Sequence, residues 1–96
     1  MSDLQKLRHR IDAIDRAVVG LLNERATVAM EIGRQKLAGG LPVYDPAREE
    51  EIVHNVTASL PGPLSAQAMR RVFERIIDET RSVERRSTEP PDPHKA

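Results

Sequence analysis

The stretch that decides the fold of this 96-residue chain is residues 4–37, LQKLRHRIDAIDRAVVGLLNERATVAMEIGRQKL. Its apolar residues recur at alternating steps of three and four, which predicts one helix with a continuous apolar face. These residues are Leu4, Leu7, Ile11, Ile14, Val18, Leu21, Val28 and Ile32. Because the glycine pair at 39–40 and then Pro42 oppose continuation, we predict a helix from about Asp3 to Ala38.

The apolar face of this helix is too long for one short chain to cover. At about 1.5 Å per residue the helix would be roughly 50 Å long. A compact domain of this size is only about 25 Å across. The face therefore predicts a packing partner.

Two shorter helices follow the long one. The second is predicted to begin at Asp45-Pro46 and to end before the run Pro-Gly-Pro at 61–63. The third is predicted to run from the cap Ser65 to Arg86. The fold class is thus all-α, with residues 1–86 as one helical domain and the proline-rich segment 87–96 as a disordered tail.

Composition excludes several classes of function. Fifteen basic and fifteen acidic residues balance, so no net field favours nucleic acid or an acidic membrane. The absence of cysteine rules out disulfides and thiolate sites. The three histidines lack metal-ligand spacing, and we expect no metal or cofactor. A charged N-terminus without a signal-like apolar core, and no apolar window of about 20 residues, predict a soluble cytoplasmic protein.

Three basic residues of the long helix stand out. Arg25 occupies a position on the apolar face, which fits a snorkelling or salt-bridged arginine as well as an anion site. Lys36 lies eleven residues later and points to nearly the same side. Arg8 lies some 25 Å from Arg25, at about 1.5 Å per residue, and off that side. Arg8 can join Arg25 only if a second, antiparallel copy brings it there.

Polar residues also gather on the shorter helices. Asp45, Arg48 and Glu49 lie at the first turn of the second helix, where charged residues are ordinary caps. Thr80 and Glu84 continue the apolar stripe of the third helix, one turn apart. Polar groups at such positions usually face each other or a ligand.

Five strings of residues between positions 4 and 86 form one pattern along the chain. They are Leu7-Arg8-x-x-Ile11-Asp12-x-Ile14-Asp15, Leu21-Leu22-x-x-Arg25, Ile32-Gly33-x-x-Lys36, Val43-x-Asp45-x-x-Arg48-Glu49 and Phe73-x-x-Ile76-Ile77-x-x-Thr80. In this order and spacing they resemble the all-helical (type II) chorismate mutase family over residues 4–86. In that family the long first helices of two chains pair antiparallel, so the resemblance implies an intertwined homodimer whose sites each take one arginine from the other subunit.

The resemblance implies catalytic roles for three residues and the rearrangement of chorismate to prephenate. Arg25, with the partner subunit's Arg8, would clamp the two substrate carboxylates. Lys36 would contact a carboxylate and the ether oxygen of the breaking bond. Glu84, at a position where many members carry glutamine, would assist at that oxygen when protonated.

The resemblance also implies substrate-binding roles for four further residues. Asp45, through its backbone, and Glu49, through its carboxylate, would contact the ring hydroxyl, with Arg48 supporting them. Thr80 would lie near the ring carboxylate.

Two other functions stay open on the sequence. An isochorismate-pyruvate lyase of the same fold would use a similar set of cations, although the run Asp45-x-x-Arg48-Glu49 favours the mutase. A non-enzymatic helical dimer would leave unexplained why Arg25, Thr80 and Glu84 replace apolar residues.

Overall fold

The computed structural model describes residues 2–89, which form three helices and no strand. Helix α1 spans Asp3–Ala38, α2 spans Pro46–Thr57 and α3 spans Ala66–Arg86. The predicted all-α class with one long and two shorter helices is confirmed. Most of the predicted tail, residues 90–96, lies outside the described residues, so disorder there stays a prediction.

Each helix begins at a side-chain cap. Ser2 and Gln5 form a capping box at the start of α1, with both bonds 3.1 Å long. Asp45 Oδ1 accepts from the Arg48 backbone N–H at 3.1 Å, and Ser65 Oγ accepts from that of Ala68 at 3.0 Å. These bonds satisfy backbone donors that would otherwise have no intrahelical partner, which is why the helices begin there.

Helix α1 ends in a Schellman motif built on the predicted glycine pair. Gly40 adopts a left-handed φ of 68°, a conformation that costs glycine little. The Leu41 N–H then donates to the Lys36 carbonyl at 2.8 Å, and the Gly40 N–H to the Leu37 carbonyl at 3.2 Å. This reversal directs the chain back along the end of α1.

Helix α3 packs against both other helices, and the buried residues lie along these two contacts. They are Ala29 and Gly33 of α1, Val53 of α2, and Ile77, Thr80 and Glu84 of α3. The buried part of α1 is therefore its C-terminal third. Two of the three buried residues of α3 are polar, as the sequence pattern predicted.

The N-terminal half of α1 extends away from this core. Leu4, Ile11 and Ile14 expose 56%, 56% and 55% of their surface. The chain is 54 Å long with a radius of gyration of 17.4 Å, against about 12.5 Å for a compact chain of this length. No other segment of residues 2–89 thus covers the apolar face of this half of α1. Within residues 2–89, no helix is both long and apolar enough to cross a membrane.

Candidate functional site

The three helices enclose a cavity of about 260 Å³ that is open on one side. Seven of the eight predicted site residues line it, Arg8 being the exception. Apolar side chains form part of the wall, among them Val28, Ile32, Val43, Ile52 and Ile77. The polar lining consists of Arg25, Lys36, Asp45, Arg48, Glu49, Thr80, Arg81 and Glu84.

Arg25 reaches from α1 to α3 and contacts a hydroxyl. Its Nη1 donates to Thr80 Oγ1 at 2.7 Å. The Thr80 hydroxyl lies 2.8 Å from the Ile76 carbonyl oxygen, to which it can donate its own proton. Thr80 therefore accepts from Arg25 while bonded to its own helix. The sequence left two structural explanations for Arg25 open, a snorkelling side chain and an ion pair with a buried carboxylate. A hydrogen bond to a hydroxyl favours neither of them.

Lys36 is held by two oxygens from other parts of the chain. Its Nζ donates to the Val43 carbonyl at 2.7 Å and lies 2.6 Å from Glu84 Oε1. The Val43 carbonyl is in reach because the Schellman turn brings the chain back past the end of α1. Arg25 and Lys36, eleven residues apart, thus line one cavity, as their spacing predicted.

Glu84 presents a mostly buried carboxyl group to this lysine. Its side chain is 12% exposed, and that of Lys36 is 19% exposed. Glu84 Oε1 is fully buried and accepts no hydrogen bond of good geometry within residues 2–89, although the Lys36 ammonium is close. We interpret the contact as an ion pair. A proton or a polar ligand at this carboxyl would complete its bonding.

The first turn of α2 contributes the cavity's second polar wall. Asp45 caps the helix through its side chain and also lines the cavity. The Arg48 guanidinium pairs with Glu51 on the exposed side of α2. Glu49 instead turns to α3, where Arg81 Nε donates to its Oε2 at 2.8 Å and Arg81 Nη2 to its Oε1 at 2.6 Å. In this chain Arg81, not Arg48, contacts Glu49.

Sequence reasoning did not single out Arg81. The hydrogen bonds that Arg81 donates to Glu49 raise the pKa of Arg81 above its usual value; partial burial opposes this shift, and the negative charges of Glu49 and Asp78 add to it. Its guanidinium carbon also lies 5.0 Å from the centre of the Tyr44 ring. The sequence does contain an indication of its position. Arg81 follows Ile77 by four residues and so lies on the same, inward side of α3.

Arg8 lies on the exposed N-terminal half of α1, away from this cavity. The single chain therefore brings together Arg25 and Lys36 without Arg8, which is the arrangement that the helix geometry predicted. Within residues 2–89, no group of three or more histidine, cysteine or acidic residues is placed to hold a metal ion.

Comparisons with known proteins place these features in a family. The family model described as chorismate mutase type II matches residues 7–85. A bifunctional chorismate mutase/prephenate dehydratase from Aquifex aeolicus is 34% identical over 90 residues, which cover 90% of this chain and 25% of that protein. The chain thus spans about a quarter of the length of that relative.

Two solved structures share the whole fold. Chorismate mutase (Form II) from Thermus thermophilus is 39% identical with a TM-score of 0.87, over 88% of this chain and 97% of that one. The chorismate mutase from Helicobacter pylori, solved in complex with prephenate, is 25% identical with a TM-score of 0.83, over 93% and 97% of the two chains.

Proposed function

Because the chain belongs to the type II chorismate mutase family, we propose that it rearranges chorismate to prephenate as an antiparallel homodimer. The observation that carries the proposal is the convergence of Arg25, Lys36 and Glu84 on one cavity with a partly apolar wall. Prephenate in the related structure from Helicobacter pylori supports the same substrate class.

The chemistry of this reaction suits a site without a nucleophile. The rearrangement is unimolecular and pericyclic, so the carbon–oxygen bond breaks as the carbon–carbon bond forms, with no proton transfer or covalent intermediate. A protein accelerates it by holding the flexible dianion in its reactive conformer. It also stabilises the negative charge that grows on the ether oxygen.

Three residues would perform these two tasks. Arg25, oriented by Thr80, binds a carboxylate with its remaining guanidinium donors. Lys36 is fixed by Val43 and Glu84, so its ammonium is already in place for the ether oxygen. A protonated Glu84 can donate to the same oxygen, whereas an ionised one only accepts.

The exposed apolar face of α1 supports a contribution from the second subunit. Chorismate carries two carboxylates, and Arg25 would clamp one of them. The partner subunit's Arg8 would clamp the other, and an antiparallel pairing of α1 helices would bring it there while covering the exposed apolar face. The two cations would then hold the two ends of the dianion. The predicted cytoplasmic location stays a prediction.

Separate incubations of the purified chain with chorismate and with isochorismate, followed by identification of the products, test this function. We expect prephenate from chorismate, with turnover abolished in Lys36→Gln and kept in the exposed control Lys6→Gln. Release of pyruvate from isochorismate without prephenate from chorismate would identify a lyase instead. Turnover of neither substrate would leave a non-enzymatic helical dimer.

A further inference from the structure

The contact between Arg81 and Glu49 lies at the cavity wall and joins α3 to α2. Arg81 and Glu49 are 25% and 23% exposed at their side chains, so water only partly screens the pair. Arg81 Nη2 also lies 3.1 Å from Asp78 Oδ1, and the Tyr44 ring flanks the guanidinium at 5.0 Å. The arginine is thus fixed by three neighbours.

Two parallel bonds from one guanidinium impose a specific state on Glu49. They fix the plane of its carboxylate, because both oxygens are tied to the same rigid donor group. Both carboxylate oxygens act as hydrogen-bond acceptors in this arrangement. Each oxygen uses one lone pair for Arg81 and keeps another for a donor in the cavity.

We propose that Arg81 is a positioning residue that holds Glu49 as an oriented acceptor for the ring hydroxyl of the substrate. This inference rests on the proposed function and adds to it the source of selectivity for a hydroxylated ring. Arg81 acts through Glu49 and does not touch the substrate. Without it, the Glu49 carboxylate would rotate and lose the geometry that the hydroxyl requires.

The test compares chorismate with an analogue in which hydrogen replaces the ring hydroxyl. For chorismate, Arg81→Met should lower kcat/KM about 10- to 100-fold, the usual range for a lost hydrogen bond to a charged group. For the analogue the same substitution should change kcat/KM less than about threefold, since no hydroxyl then uses Glu49. Arg81→Lys keeps the positive charge but lacks the two parallel N–H donors of the guanidinium, so its kcat/KM should lie between those of the wild type and Arg81→Met.

Arg85→Met is the matched control, because Arg85 lies one turn further on α3, is exposed and forms no ion pair within residues 2–89. It should leave both substrates unaffected. Equal losses on the two substrates in Arg81→Met and Arg81→Lys would show that the pair merely joins α2 to α3, and would overturn the inference. A wild-type chain inactive on chorismate would overturn the proposed function itself.

Discussion

Gly33 of α1 lies so close to Glu84 of α3 that a Cβ at position 33 would be 2.7 Å from the Glu84 carbonyl oxygen. The same Cβ would lie 2.5 Å from Ser87 Oγ. The Ser87 hydroxyl is itself 2.6 Å from the Glu84 carbonyl oxygen and 3.3 Å from that of Met30. Helices α1 and α3 can therefore approach closely at this point because Gly33 has no side chain. The close approach places Glu84 beside Lys36.

Gly33→Ala should separate these helices and weaken both stability and activity. We expect the free energy of unfolding to fall by about 1–3 kcal/mol, the usual cost of overpacking, despite the better helix propensity of alanine. Turnover should fall because Glu84 moves away from Lys36. Chemical denaturation at fixed protein concentration and steady-state kinetics measure the two effects.

Gly20→Ala is the matched control for this substitution. A Cβ at Gly20 would meet nothing within 4 Å, so the alanine should leave stability unchanged or raise it by up to about 1 kcal/mol. Equal stability of the two variants would mean that α3 does not need the close approach at Gly33.

The catalytic role proposed for Glu84 predicts different effects of two substitutions. A hydrogen bond to the ether oxygen needs a donor at this position, which a protonated carboxyl or an amide supplies and a methyl group does not. Glu84→Gln should therefore keep substantial activity, whereas Glu84→Ala should be poor. Steady-state kinetics with chorismate compare the two variants with the wild type. A glutamine variant as impaired as the alanine variant would exclude the role.

A site shared between subunits predicts complementation between two inactive variants. Arg8→Ala and Arg25→Ala homodimers should each be nearly inactive. If the two are unfolded together and refolded as a mixture, half of the dimers are mixed when chains pair at random. Each mixed dimer has one intact and one doubly damaged site, so up to about a quarter of wild-type activity should return. A mixture as inactive as its parents would show that the two arginines do not meet across an interface.

If the exposed apolar face of α1 is the dimer interface, a charged residue substituted into this face should prevent assembly. Ile14→Glu should raise the dissociation constant of the dimer by about 100-fold or more, because a buried unpaired carboxylate is costly. Sedimentation equilibrium over a range of concentrations measures this. Arg16→Glu, which places the same residue on the opposite side of the helix, should assemble normally. A wild-type chain that is folded, active and monomeric would contradict the dimer.

The helices and much of the site could be predicted because local rules determine them. Caps at Ser65 and Asp45 and the glycine pair at 39–40 fix the helix bounds within a few residues of chain. The eleven-residue spacing of Arg25 and Lys36 fixes their common side, because it is close to three helical turns. Each of these features depends on residues that are close to one another in the sequence, so the sequence pattern predicts it directly.

The remaining features depend on how the helices pack, which periodicity does not report. The spacing of Arg81 from Ile77 predicts that it lies on the inward side of α3. Its pairing with Glu49 could not be predicted, because it depends on how α2 and α3 are placed relative to each other. The Val43 carbonyl holds Lys36 only because of the turn after α1. The sequence alone gives no special role to Gly33 within its helix. Its role follows from the packing of α3, which places Glu84 against it.

The bond between Lys36 and the Val43 carbonyl constrains how this chain can change over evolution. Surface connections between helices ordinarily tolerate insertions and deletions. Here an added or missing residue within 37–43 would move the carbonyl off the lysine, so selection on activity would act on the length of this connection as well as on its composition. The link between α2 and α3, which does not line the cavity, has no such constraint, and length variation should accumulate there first.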